Sequence, residues 1–299
     1  MLSSKSEAQR RESLAHLTTS IASRPIDSPL PQPFSIMLPS LVPLLLDGSN
    51  SVRTQLLKFL RTLPKPEIED HAAQLLPYIR AGMTHLAADI RISAVEALSW
   101  LVDVAGGELV SCAGGWIKTL NCFLSLLGWH TEESSKFGVN RSSFSKLGGT
   151  NGGRPMVKAL QTLAEFLHTG IGTEASTEHK GRGGGGGGKK NQDGGEEQVD
   201  VFLSSGWIFP LDKAPQHMIP SRANPYAYLN LFGQPRDAEG DMYDTQEDRY
   251  RVFSGSFAAA IERGVENARK EGGEVGRASA AVSKVLREAR TYSSSLLVT

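Results

Sequence analysis

The sequence predicts an all-α fold, a helical solenoid with an extended, partly helical C-terminal segment. Three observations predict it. Apolar residues recur at helical spacing through the first 172 residues. One block of that pattern repeats 38 residues later. After residue 172 the composition turns first Gly-rich and then Pro-, Tyr- and acid-rich before helical spacing returns.

The elements follow in order. Residues 6–23 carry Leu14, Leu17 and Ile21 on one helical face, and Pro25, Pro29, Pro31 and Pro33 then break the chain. Helical spacing resumes near Phe34. Met37-Leu38-Pro39 recurs as Leu75-Leu76-Pro77, and Val52-Arg53 recurs as Ile90-Arg91, both after 38 residues. Between them the stripe Val52, Leu56, Phe59, Leu60, Leu63 is matched by Ile90, Ala94, Ala97, Leu98, Leu101. Both follow i, i+4, i+7, i+8, i+11, one face of an α-helix. A helix pair cannot bury such a stripe alone, so a period near 40 residues marks stacked pairs of HEAT/armadillo type. Asp47-Gly48-Ser49-Asn50 supplies the turn before one repeat helix, with Ser49 or Asn50 as N-cap. Trp116, Leu120, Phe123, Leu124 and Leu127 begin a third unit, whose partner helix is expected over 155–167 after a polar, Gly-rich insertion at 131–153.

The expected domains are therefore HEAT/armadillo-like repeats over 1–172, a Gly-rich flexible linker over 173–198, and a C-terminal docking segment with helices over 199–299. In the last part Phe253, Phe257, Ile261 and Val265 step by four, Gly272-Gly273 interrupts, and a short helix is expected over 277–290.

Composition excludes several function classes. The 32 basic and 32 acidic residues balance, which argues against charge-driven nucleic-acid binding by the whole chain. Cys112 and Cys122 are too few for a disulfide framework and fit no zinc spacing, so a reducing compartment is expected. The first residues lack an apolar signal core, and the longest apolar run, 41–46, is far too short to span a membrane, so a soluble intracellular chain is expected. Gly183–Gly188 followed by Lys189-Lys190 has the spacing of a phosphate-binding loop but lacks its Ser or Thr and any preceding strand. The acidic stretch 237–248 departs from a calcium loop, with Gly fourth rather than sixth and Asp248 in the twelfth place. The seven histidines are scattered with no metal spacing. No enzyme, metal or cofactor is expected.

Three stretches are more specific. They are Ser3-Ser4-Lys5-Ser6-Glu7-Ala8-Gln9-Arg10-Arg11, the turns Asp47-Gly48-Ser49-Asn50-Ser51-Val52-Arg53 and Asp89-Ile90-Arg91, and above all Tyr226-Ala227-Tyr228-Leu229-Asn230-Leu231-Phe232-Gly233 with Arg236-Asp237, Glu239-Gly240-Asp241-Met242-Tyr243. Across nearly the whole chain they resemble the fungal pre-rRNA-processing Ipi-one subunits, related to the animal testis-expressed-ten protein. The resemblance implies a nuclear (nucleolar or nucleoplasmic), non-catalytic scaffold subunit of the rixosome, with WD-repeat and Rix-type subunits as partners. It implies action on the pre-60S particle, removal of the second internal transcribed spacer, and indirect recruitment of an AAA ATPase. Family members usually carry a Lys-rich extension ahead of the Ser-Lys-Ser segment, whereas here Met1-Leu2-Ser3 leads directly into it. Either that extension lies outside this sequence or import rides on a partner.

The docking residues expected from the sequence are Tyr226, Tyr228, Leu229, Leu231 and Phe232, a dense apolar cluster in a polar stretch, together with Arg236, Asp241 and Tyr243. Such a cluster must be buried, either on a partner or on the chain's own helices. Arg53 and Arg91 are expected to satisfy turn and neighbouring-repeat groups rather than RNA. An adaptor of another pathway and an RNA-binding helical module are the alternative functions.

Overall fold

The computed structural model describes residues 6–25, 30–129, 153–172 and 238–296, with side chains to residue 291. The described residues form helices and turns only. In order these are α1 (Glu7–Ala22), α2 (Phe34–Leu41) continued by a 3-10 helix (Val42–Leu46), α3 (Asn50–Leu60), α4 (Lys65–Met83), α5 (Ala88–Ser111), α6 (Ile117–Leu127) and α7 (Gly153–Ile171). After a 3-10 turn (Ala238–Gly240) come α8 (Gln246–Ser256), α9 (Ala258–Glu271) and α10 (Gly273–Leu296).

The helices stand in two rows. In one, α1 packs on α3, α3 on α5, α5 on α7 and α7 on α10. In the other, the 3-10 helix packs on α4 and α4 on α6. The apolar stripes read from the sequence line the space between the rows: Val52, Leu56, Phe59, Ile90, Leu98 and Leu101 are all buried. Each fully buried side chain of this size contributes roughly 1.5–3 kcal/mol. Terminal α1 buries only Leu14 and turns a polar face outward, as the end of a stack requires.

The structure refines several boundaries. Ser49 takes the N-cap position of α3, but its hydroxyl bonds Glu7 rather than the helix, and Asp47 Oδ1 accepts the Ser49 N–H instead. The helix expected over 155–167 runs the full length of Gly153–Ile171. Helix α5 is kinked at Ala105 (φ −132°, ψ 35°), beside the Gly106-Gly107 pair that removes two side chains from the turn. The i+4 run Phe253–Val265 is two helices broken at Phe257, although all four residues are buried on one side. The short helix expected over 277–290 is 24 residues long, because Gly272 and Gly273, both at positive φ, turn the chain immediately before it.

One compact unit comprises Met1–Thr173 together with Glu239–Thr299; Glu174–Ala238 form another. Helices α8–α10 therefore complete the same core as α1–α7, and α10 lies along α7. The insertion at 131–152 and the run Gly183–Gly188 lie outside the described residues.

Candidate interaction surface

Four helices carry an arginine at their fourth residue: Arg10, Arg53, Arg91 and Arg249. In each, the arginine N–H closes the first helical turn on the residue just before the helix. Arg53 and Arg91 are the pair legible in the sequence repeat. Their guanidiniums fold back on their own turns, Arg53 to the Asp47 carbonyl (2.5 Å) and Arg91 to those of His85 (2.7 Å) and Leu86 (2.8 Å). Arg249 does the same at the same offsets, to Tyr243 (2.6 Å) and Asp244 (2.9 Å). A turn carbonyl with no helical donor is thus satisfied by a fixed, charged fork.

The same arginines also reach the neighbouring helix. Arg10 makes a bidentate pair with the Asp47 carboxylate (2.8 and 2.9 Å). Arg53 reaches Asp89 (2.7 Å), Ser93 (3.0 Å) and Asn50 (3.3 Å). The Arg53 hydrogen bond holds the Asp89 carboxyl below its ordinary value, and hydrogen bonds from Ser49 and Ser51 do the same for Glu7. These arginines satisfy turns and neighbouring helices, as expected.

The C-terminal return forms a seam on the α5–α6 turn. Gly114, at φ +67°, donates its N–H to the Asp241 carbonyl (3.1 Å) while its own carbonyl accepts from Arg80 (2.5 Å). A Cβ at this glycine would sit 3.2 Å from the Glu239 carbonyl oxygen, so the strap and the turn meet through backbone. Asn121 of α6 donates to Glu239 (2.8 Å). Gln246 donates to the Gly172 carbonyl (2.7 Å) and Arg249 Nε to that of Gly170 (2.8 Å), which ties α8 to the end of α7. Burial pulls the Arg249 guanidinium below its usual pKa, with Asp244 and Asp248 acting the other way.

Trp116 is the hub of this seam. It is fully buried, stacks on Phe166 at 5.0 Å, approaches Phe253 at 6.4 Å and donates its indole N–H to the Arg249 carbonyl (3.1 Å). A Cβ on Gly170 would fall 2.2 Å from its ring, so only glycine admits the indole there.

Of the docking residues expected from sequence, Asp241 and Tyr243 are described. Both face the chain's own helices: Asp241 through its carbonyl to Gly114, and Tyr243 through its carbonyl to Arg249 and by packing against the core. Burial, then Asp241, pushes the Tyr243 phenol above its usual pKa. Tyr226, Tyr228, Leu229, Leu231, Phe232 and Arg236 lie outside the described residues. Sequence reasoning missed Arg10 and Arg249. The signal for Arg249 was a cap: Thr245 accepts the Asp248 N–H (3.1 Å), a capping pattern that starts α8 and puts Arg249 fourth. Among the described residues no three His, Cys, Asp or Glu side chains converge to hold a metal, and no helix is long and apolar enough to cross a membrane.

Comparison with known proteins agrees along the chain. Residues 66–167 match a family model described as a Rix1 complex component involved in 60S ribosome maturation. The chain is 64% identical to pre-rRNA-processing protein ipi1 of Aspergillus fumigatus, over 98% of its own length and 80% of the relative's. It is 62% identical to the protein of that name from Aspergillus oryzae (98% and 74% covered) and 40% identical to the one from Chaetomium thermophilum (96% and 77%). With its helices, turn arginines and C-terminal return spanned by these matches, the chain belongs to the Ipi1 family of pre-rRNA-processing proteins.

Proposed function

We propose that the chain is a non-catalytic scaffold subunit of the Rix1 complex, the rixosome. As a family member it acts in pre-rRNA processing and in maturation of the 60S subunit, in association with that complex and the pre-60S particle. The observation that carries this reading is the identity running along nearly the whole chain to fungal pre-rRNA-processing proteins. The geometry supports the scaffold part. The buried guanidiniums of Arg53, Arg91 and Arg249 are spent on carbonyls and neighbouring side chains, so they hold helices together rather than face a substrate. Stacking of HEAT/armadillo type is supported by the 38-residue repeat, the shared arginine register and the two rows of helices.

In this reading the partners are the WD-repeat and Rix-type subunits, the AAA ATPase is reached indirectly through the particle, and the work is nuclear, including removal of the second internal transcribed spacer. The stretch Tyr226–Phe232 is the main docking device, because aromatic anchors dominate interface energy. Affinity purification of the tagged chain tests the whole. Co-elution of a WD-repeat protein, a Rix-type protein and large-subunit ribosomal proteins is expected, and a clean preparation lacking all three would overturn it. Tyr228→Ala with Phe232→Ala is expected to release a partner with helical circular dichroism unchanged. Full retention of both partners would remove the docking role.

A further inference from the structure

We infer that the outer face shared by α2 and the middle of α4 is a second docking surface, fitted to a protein subunit of the complex that presents uncharged side chains and hydrogen-bond donors. The inference rests on the scaffold reading above.

The face is defined by the repeat. Ser35, Ile36 and Pro39 on α2 and Ala73, Pro77 and Tyr78 on α4 are all exposed, and Ser35/Ala73 and Pro39/Pro77 are repeat equivalents 38 residues apart. The two stretches are neighbours, because the 3-10 helix that continues α2 packs on α4. Ile36 is 64% exposed and Tyr78 37%.

Charge singles this face out. The chain is 21% charged, yet residues 34–46 and 72–79 contain no Asp, Glu, Lys or Arg. Outer faces elsewhere are charged, with Arg11 and Glu12 exposed on α1 and Arg277, Lys284 and Arg287 on α10. Depletion of charge beside exposed aromatic and aliphatic residues is the compositional mark of an interface core. The nearest guanidinium, Arg80, is committed to the Gly114 carbonyl. With no cation to meet a phosphate, the face is unsuited to RNA.

Backbone chemistry adds the donors. Pro39 and Pro77 have no N–H, so neither can donate to the carbonyl four residues back, which belongs to Ser35 and Ala73 respectively. Two exposed carbonyls at matching places on adjacent helices thus lack their helical donor. The next helix in the row shows how such a face is covered. On α6 only Ser125 is exposed, and the strap at Glu239–Asp241 lies against that helix and its leading turn.

The test uses the full chain carrying Ile36→Asp and Tyr78→Asp, titrated against the Rix1 complex assembled without it. Both positions are exposed, so the thermal melt should match wild type, and binding should weaken at least tenfold. Hydrogen exchange on the wild-type chain in the complex should slow at 35–43 and 73–81. Wild-type affinity of the double variant, or unchanged exchange there, would overturn the inference while leaving the scaffold reading in place. Failure of the wild-type chain to join the complex at all would instead defeat the scaffold reading. Wild-type self-association lost in the double variant would assign the face to a second copy. Salt-sensitive capture of RNA lost in the variant would assign it to nucleic acid, and either result overturns the proposal.

Discussion

The two ends of this molecule are joined by different means. In the N-terminal stack, each polar tie links neighbours in the repeat: Arg10 to Asp47 and Arg53 to Asp89, separated by 37 and 36 residues. At the C-terminal closure, Trp116 reaches Arg249 across 133 residues and Arg249 reaches Gly170 across 79. The same residue type in the same helical position serves both. In the stack a turn arginine grips the next unit's carboxylate, whereas at the closure it grips backbone carbonyls at the end of an earlier helix. Neighbour contacts recur with the sequence period; the closure is a single event built from an aromatic hub and unpaired helix-end carbonyls.

Substitutions that separate the two modes sharpen this contrast. The largest effect is expected at the hub: Trp116→Ala removes a buried indole and its bond to α8, costing about 3–5 kcal/mol in chemical denaturation. Its loss should free α8–α10 to exchange amide hydrogens faster than α1–α5. Arg249→Ala strands the carbonyls of Gly170, Tyr243 and Asp244 and should cost about 2–3 kcal/mol. Arg53→Ala should cost a similar or smaller amount, because Asp89 is exposed and recovers water. The two should add within about 0.5 kcal/mol, since they share no partner. Gly170→Ala drives a methyl into the indole and should cost about 1–3 kcal/mol, but much less in a Trp116→Ala background, which a double-mutant cycle reads directly.

The smallest effect is expected from pH and is confined to the stack. Glu7 and Asp89 have folded pKa values below their usual 4.5 and 3.8, so the unfolded chain binds protons more readily. Their contribution is present above those usual values and is lost as pH falls through the lowered ones. Asp89→Asn should flatten the acid limb of a stability–pH profile and change stability at neutral pH by less than about 1 kcal/mol, because the pair is solvent-screened.

Much of the stack was legible from residues alone. Helix α1 was bounded correctly because a short polar pattern ends at Ser23 before a run of prolines. The stripes on α3 and α5 were legible because both faces of the argument, period and burial, point to the same residues. The closure was less so. The i+4 run through Phe257 predicts one helix, but Phe257 itself is the break, at φ −116°. Arg249 was hidden because its turn, Tyr243-Asp244-Thr245, shares no residue pattern with Asp47-Gly48-Ser49. What the two turns share is geometry: free carbonyls five and six residues before a guanidinium. Asp241 and Tyr243, chosen from sequence for docking, are held by the chain's own turn and core through backbone groups that any sequence possesses.

The sequence by itself determined the helical class, the 38-residue period, the arginines at the repeat turns and the family to which the chain belongs. Each is a local or periodic property, written in side-chain spacing along one helix or its copy. Only the tertiary structure decided that α8–α10 complete the N-terminal core, that Trp116 ties α6 to α7 and α8, and that a charge-free face is shared by α2 and α4. Those features depend on which distant surfaces meet. Burial rewards every apolar stripe alike, and shape and unsatisfied carbonyls then select the pairing.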